Sequence, residues 1–319
     1  MSKTNQPASQ EKFKTLIGGQ ALIEGILMQG PDKRAIVVRT PDGLVRKEEP
    51  VKKHRGILAW PLIRGVVNFL SSMVNGVKAL MYSAEFFEDD TDAEPGKFEQ
   101  WFEKKFGSDK LEKAVIYFSV VLGVAMSVGL FILLPTLLGG LFDSVLHSQL
   151  ARCLIEGVLR IIIFLGYLIL VSKTKDIKRV FSYHGAEHKT IRCYEARLPL
   201  TVENVRPQTR LHPRCGTSFL FVVVILSILI FSLVSVVLPT SNMLLRLLLR
   251  LALLPIVVSI SYEFNRLVGR YDNWLTRILT YPGMWLQNFT TNEPDDSMIE
   301  VAIEALTMVI PEQEGADRW

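Results

Sequence analysis

Apolar residues along this chain collect into runs longer than a water-soluble core requires. Val115 to Leu138 and Thr217 to Leu238 contain no charged residue, and each supplies roughly the 20 apolar positions needed to cross a hydrocarbon core. Cys153 to Val171 is similarly apolar but includes Glu156 and Arg160, and Met243 to Ile260 includes Arg246 and Arg250. About four transmembrane helices are therefore predicted. Glu156 and Arg160 are four residues apart on one helical face, a spacing that lets them pair and lowers the cost of charge near lipid. The plainer reading of that pair is a structural clamp; the other is a functional pathway.

Ahead of the first span the pattern changes period. From Ile57 to Tyr82, the polar residues Arg64, Asn68, Ser71, Asn75 and Lys78 step by four, three, four and three, drawing one polar stripe along an otherwise apolar helix. Such a helix belongs in the membrane interface or against the bundle. The alternative is a fifth span, which would move the N-terminus outside. Ala35 to Arg39 alternates as a strand does, Thr40-Pro41-Asp42-Gly43 is a turn, and Leu44 to Glu49 can return, so a small hairpin is expected. Glu85, Glu88, Asp89, Asp90, Asp92 and Glu94 lead to Pro95-Gly96 and read as a solvated linker. Met298 to Ile310 suggests a short helix in an amphipathic C-terminal region.

The fold class is thus a mainly α, polytopic membrane protein with an interfacial amphipathic helix and a small N-terminal β-hairpin. Its expected organisation is an N-terminal region over 1–112, a membrane bundle over 113–260 that carries a loop at 172–216, and a C-terminal region over 261–319. A hydrophobic fraction of 49% and a positive mean hydropathy of +0.27 agree with that class. The first fifteen residues are polar and contain no apolar core of a signal peptide.

Charge sets the expected orientation. The connection from Ser172 to Gly216 holds ten Lys and Arg residues, among them Lys178, Arg179, Lys189, Arg206, Arg210 and Arg214, whereas Gly139 to Arg152 and Pro239 to Asn242 hold only Arg152. The positive-inside rule makes the basic loop cytoplasmic, and an even number of spans puts both termini there too, in a multi-pass protein of the plasma membrane. Arg246 and Arg250 then fall at the outer end of the last span, where they snorkel to the interface or pair inside the bundle. The net charge of +4 is explained by basic loops beside anionic lipid, so no nucleic-acid partner is expected.

The candidate chemistry lies in that loop. Tyr183-His184-Gly185-Ala186-Glu187-His188-Lys189 contains the pattern His-x-x-Glu-His. On a helix its two imidazoles project from one face and reach a single metal ion, with Glu187 acting on a metal-activated water. Gly185 weakens the helix that this requires. His212-Pro213-Arg214-Cys215-Gly216 stands just before a span, so the loop begins and ends at the bilayer and can bring both clusters together. Zinc suits the nitrogen and sulfur donors. His184, His188, His212 and Cys215 would close a structural tetrahedron, while three of them would leave a catalytic position open. Cys215 is alternatively a nucleophile activated by Arg214 and a nearby His. Cys153 and Cys193 show no comparable spacing, and three Cys facing the cytoplasm argue against disulfides. Gly18, Gly19, Gly25 and Gly30 surround Glu24 and Gln29; the segment is a tight turn with a helix cap, or else it brings Glu24 to the metal cluster.

At Gly18 to Met28, Tyr183 to Lys189, Leu200 to Arg206 and Leu211 to Phe219 the sequence resembles the YqhQ family of bacterial membrane proteins (domain of unknown function 1385). The resemblance runs over almost the whole chain after Thr15 and implies a metal-dependent membrane enzyme. Two functions of different class follow. One is a zinc-dependent hydrolase at the cytoplasmic face, with Glu187 as general base, acting on a lipid-linked or membrane-protein substrate. The other is a non-enzymatic scaffold or assembly factor whose loop is braced by structural metal or by a His/Glu network.

Overall fold

In the computed structural model, residues 13–87, 108–142, 148–238, 242–271 and 273–319 are described. They form strands β1 (Gly18–Leu22), β2 (Gly25–Gln29), β3 (Lys33–Thr40) and β4 (Gly43–Pro50), then helices α1 (Ile63–Ala84), α2 (Ser108–Val128) and α3 (Leu134–Gly140). Helices α4 (Gln149–Ser172), α5 (Lys175–Glu195), α6 (Gly216–Val237), α7 (Met243–Arg270), α8 (Trp274–Thr290) and α9 (Asp296–Val309) follow, and a π-helical turn at Gly129–Leu133 joins α2 to α3. Among the described residues, four helical stretches are long and apolar enough to cross a membrane: Tyr117–Gly140, Leu150–Ser172, Gly216–Val237 and Met243–Arg270. The protein is a mainly α, polytopic chain, as its uncharged runs predict. The acidic run from Glu88 onward lies outside the described residues.

Two units compose the chain. The first takes the described parts of Met1–Phe87, Leu168–Leu226 and Pro255–Trp319; the second takes those of Glu88–Tyr167 and Ser227–Leu254.

In the first unit an antiparallel sheet of order β1-β2-β3-β4 is covered on both faces. Ile26, Met28, Ala35 and Val37 pack against Tyr183, Ala186 and Ile191 of α5 and against Ile299, Ala302 and Leu306 of α9. Leu22, Leu27, Ile36 and Val38 face Ala79 and Tyr82 of α1. Each fully buried aliphatic side chain contributes roughly 1.5–3 kcal/mol, so the sheet is held by helices distant in sequence. The expected hairpin is β3–β4, closed by Pro41-Asp42 between the paired Thr40 and Gly43. The β1–β2 pair is an addition: Leu22 pairs with Gly25, and the turn between them carries Glu24 at φ 50°. Its alternation is invisible because β2 is buried on both faces, which turns Ile26-Leu27-Met28 into a continuous apolar run.

The first two residues of the polar stripe of α1 meet a helix. Arg64 makes a bidentate pair with Glu263 of α7, and Asn68 donates to the Tyr262 hydroxyl at 2.8 Å. The α7 helix therefore continues ten residues past the predicted end of its span at Ile260, because polar residues end an apolar run without ending a helix. Far ends of the sequence also meet in this unit. The Thr15 hydroxyl donates to Asp317 at 2.5 Å, and the Trp319 indole donates to the Thr15 carbonyl at 2.9 Å.

The second unit buries charge among its apolar helices. Glu156 is 2% exposed and takes its ion pairs from Arg250 and, at 3.5 Å, from Arg246. Arg160 instead donates to the Phe131 carbonyl and the Ser227 hydroxyl, each at 2.9 Å. The expected pairing of Glu156 with Arg160 along one helix is thus replaced by pairing across helices. The physical reason is that guanidiniums on α7 also need a counter-charge in apolar surroundings, where isolated charge is costly. Gly139 makes room for this, since a Cβ there would overlap the Glu156 side chain.

Candidate metal centre

Helix α5 carries His184, Glu187 and His188 toward the interior of the first unit, where Glu187 is 5% and His188 1% exposed. The helix persists through Gly185 because that position needs the absence of a side chain. A Cβ there would run into the Asn292 carbonyl oxygen, and the Asn292 amide donates to the Phe181 carbonyl at 2.8 Å. The segment after α8 therefore lies directly on α5.

Three donors on α5 then fold the basic segment back. Lys189 Nζ donates to the Arg206 carbonyl at 2.9 Å, His188 Nδ1 to that of Arg210 at 2.6 Å and Arg192 Nε to that of Leu211 at 2.7 Å. On the other side, the fully buried Gln287 of α8 brackets the His212 peptide. Its Oε1 accepts the His212 N–H and its Nε2 donates to the His212 carbonyl, both at 2.7 Å. These bonds deliver Cys215, at the mouth of α6, to the histidines.

The ring orientations are determined by what they touch. His184 Nδ1 lies 2.8 Å from the Thr290 carbonyl, and a carbonyl can only accept, so both Nδ1 atoms of this histidine pair carry protons. Each Nε2 is left to face the cluster, and offers a lone pair when its ring is neutral. The two rings are 4.3 Å apart, and His184 Nε2 is 3.1 Å from Cys215 Sγ. Ligand atoms of His184, His188 and Cys215 all lie within 4.8 Å of one another. Burial alone would raise the Cys215 thiol, but the charges of His184 and His188 pull it well below its ordinary value. The Thr217 amide also approaches its sulfur at 3.4 Å. Burial likewise opposes charge on His184, yet Cys215 holds that imidazole up at about 9.

Glu187 completes the cluster. Its Oε1 accepts the Gly19 N–H at 2.9 Å, whereas its Oε2 is buried without a hydrogen-bond partner among the described residues. Burial pushes the carboxyl up, against the pull of His184 and His188. Gly19 permits this approach, because a Cβ there would stand 3.1 Å from Glu187 Cδ and 2.6 Å from the Leu27 carbonyl oxygen. The glycine-rich segment does reach the cluster, but through a backbone amide of β1. Glu24 points elsewhere, to Arg179 and, at 3.1 Å, to the Tyr183 hydroxyl.

Of the four ligands anticipated, His184, His188 and Cys215 form one group and His212 stands beside it. The His212 ring is 5.5 Å from that of His188, with its Nε2 3.5 Å from Glu195. Burial, reinforced by Arg214, lowers His212 to about 4 and keeps it neutral. Glu195 is itself held by Arg214 and by the Thr15 amide at 2.9 Å. Gln287, Thr290, Arg210 and Glu195 escaped sequence reasoning. Glu195, two turns after His188 on the same helix, was a weak signal, and Gln287 offered none.

The family model described as a protein of unknown function (DUF1385) matches residues 60–312, which includes every candidate ligand and Glu187 but not the sheet. The uncharacterized protein YqhQ of Bacillus subtilis (strain 168) is 38% identical over 308 residues, spanning 95% of this chain and 94% of the relative. No solved structure matches the chain. With so long a match on both counts, this chain belongs to the DUF1385 family.

Proposed function

We propose that the protein is a zinc-dependent hydrolase of the plasma membrane, with its centre at His184, His188, Cys215 and Glu187. The observation that carries this reading is the commitment of both Nδ1–H groups to carbonyls, which turns both Nε2 atoms toward one sulfur. Two imidazole nitrogens and a thiolate are donors that zinc accepts, and three protein ligands leave a fourth position for water or substrate. The orphaned Glu187 Oε2 fits the same reading as the atom that takes a proton. Zinc supplies Lewis acidity at such a site, bringing the pKa of water there toward about 7.

The residues then divide the work. Glu187 is anchored through one oxygen by Gly19 and receives the proton of the attacking water on the other. Its raised pKa keeps the protonated form close enough in energy to pass that proton to a leaving group. His212, neutral and fixed by Glu195 and Gln287, is a neighbouring hydrogen-bonding group outside the ligand set. A substrate associated with the bilayer suits a ligand one residue before a membrane helix, and the basic character of the segment supports a cytoplasmic face.

Zinc content of the purified protein, prepared in mild detergent without chelator, tests the assignment. Replacing His184, His188 or Cys215 should each remove the metal, and His212→Ala should retain most of it. Wild-type protein that takes up no stoichiometric zinc would overturn the proposal. The 3.1 Å contact of His184 with Cys215 favours one second reading, a Cys215 nucleophile with His184 as its acid–base partner. It predicts zinc-free protein whose Cys215 is alkylated near neutral pH and whose labelling collapses in His184→Ala.

A further inference from the structure

The buried cluster of the second unit plays no part in the metal centre. We propose that it binds a single halide-sized inorganic anion, held between Arg160, Arg250 and Ser232. Arg160 is 5% exposed and makes no ion pair among the described residues; its bonds go to the Phe131 carbonyl and Ser227. Its guanidinium lies 5.2 Å from the centre of the Phe231 ring, and that of Arg250 lies 5.7 Å from the same ring. Two cations thus converge on one side chain. Arg250 and, at 3.5 Å, Arg246 both pair with Glu156, so the one carboxylate on this wall is already shared by two guanidiniums and Arg160 has no ion pair among the described residues.

Between them is a void of about 10 Å³, also walled by Cys153 and Ser232. That is room for one water-sized or halide-sized particle. Ser232 is 8% exposed, and its hydroxyl is buried with no hydrogen-bond partner. A helical serine usually returns its proton to a carbonyl one turn back, so an uncommitted hydroxyl on this wall is a donor without an acceptor. A cation is excluded by the two guanidiniums, and phosphate or sulfate by volume. Water would satisfy Ser232 but leave Arg160 buried with no ion pair among the described residues. A halide accepts from all three donors and gives Arg160 a counter-charge. Glu156 shares the wall; its Oε1 makes no hydrogen bond and faces Arg246 Nη1 at 3.5 Å, so the carboxylate is balanced from α7.

Chloride-35 line broadening by the purified protein in a halide-exchangeable detergent buffer, titrated with bromide, reads this site directly. Wild type should broaden the line above buffer and lose that excess as bromide is added. Arg160→Gln should abolish the bromide-sensitive excess. Ser232→Ala, which removes one donor and leaves the ion pairs intact, should weaken chloride by roughly threefold to tenfold and decides the matter if Arg160→Gln does not fold. A wild-type line no broader than buffer, or a chloride affinity unchanged in Ser232→Ala, would mean that the void holds water alone and would overturn the proposal.

Discussion

The two units each bury a polar cluster, and they do so by opposite strategies. Around His184 and Cys215, nearly every polar atom is assigned to a backbone partner: carbonyls of Thr290 and Arg210 take the imidazole protons, and the Gly19 amide takes one oxygen of Glu187. What remains is a small set of lone pairs aimed at one point. Around Glu156 most partners are side chains: Arg250 and Arg246 share its one carboxylate, while Arg160 turns to the Ser227 hydroxyl and the Phe131 carbonyl. Backbone-fixed donors are preorganised and pay little reorganisation on binding, whereas a side-chain network can rearrange when one member is lost. The first arrangement suits a fixed coordination geometry. The second suits charge compensation.

Zinc analysis gives the largest contrast. His184→Ala, His188→Ala and Cys215→Ser should each reduce bound zinc to below about one-tenth of wild type, since a three-ligand site cannot spare a donor. Glu187→Gln should keep the metal, and products formed from native membrane extracts by wild type and followed by mass spectrometry should fall roughly a hundredfold or more in that variant. Zinc loss in Glu187→Gln equal to that in His188→Ala would make Glu187 a ligand and erase the distinction between holding and acting.

In the second unit, Glu156→Gln should destabilise by about 3–5 kcal/mol, because it leaves buried guanidiniums without a carboxylate. Adding Arg250→Gln should restore part of that loss, which thermal unfolding in detergent will show as a double-mutant cycle. A fully additive pair would mean that the cluster does not behave as a network. A smaller effect is expected from Gln287→Ala, at about 2–3 kcal/mol for unsatisfied buried groups of the His212 peptide, together with about a tenfold weaker zinc affinity. Unchanged zinc affinity in that variant would separate the bracket from the centre.

The smallest effect tests the scaffold alone. Asp295 caps α9 by accepting from the Met298 amide at 3.0 Å. Burial opposes its charge, but Ser297 and that amide hold its carboxyl below the ordinary range. Its folded pKa is depressed, so its contribution is present at neutral pH and is lost as pH falls below about 4. Asp295→Ala should cost about 1 kcal/mol and flatten that acid limb, with no change in zinc content.

These contrasts also explain what the sequence could convey. Lipid imposes long uniform runs, so the spans were legible, and the turn at Pro41-Asp42 announced the β3–β4 hairpin. Helical spacing put His184, Glu187 and His188 together because they share one element. His212 was harder, since a spacing of three from Cys215 is compatible with a shared ion until Gln287, from another helix, fixes the His212 backbone. Glu156 and Arg160 illustrate the same limit in the second unit. Their spacing allowed a pair, and only the arrival of α7 decided otherwise. Local periodicity reports which face a residue occupies; choosing among partners on that face needs the other helices.

The meeting of Thr15 with Asp317 and Trp319, and of β2 with α9, has a consequence for biogenesis. A ribosome produces the strands first, and the helix that covers them emerges on the order of tens of seconds later at the usual elongation rate. Throughout that interval the face bearing Ile26, Met28 and Val37 lacks its native cover while apolar spans are already entering the bilayer. The nascent sheet must therefore be sheltered by the translocation machinery, a chaperone or the membrane surface. The cluster of His184, His188, Glu187 and Cys215 cannot assemble until Gly19, Cys215 and Thr290 are all present.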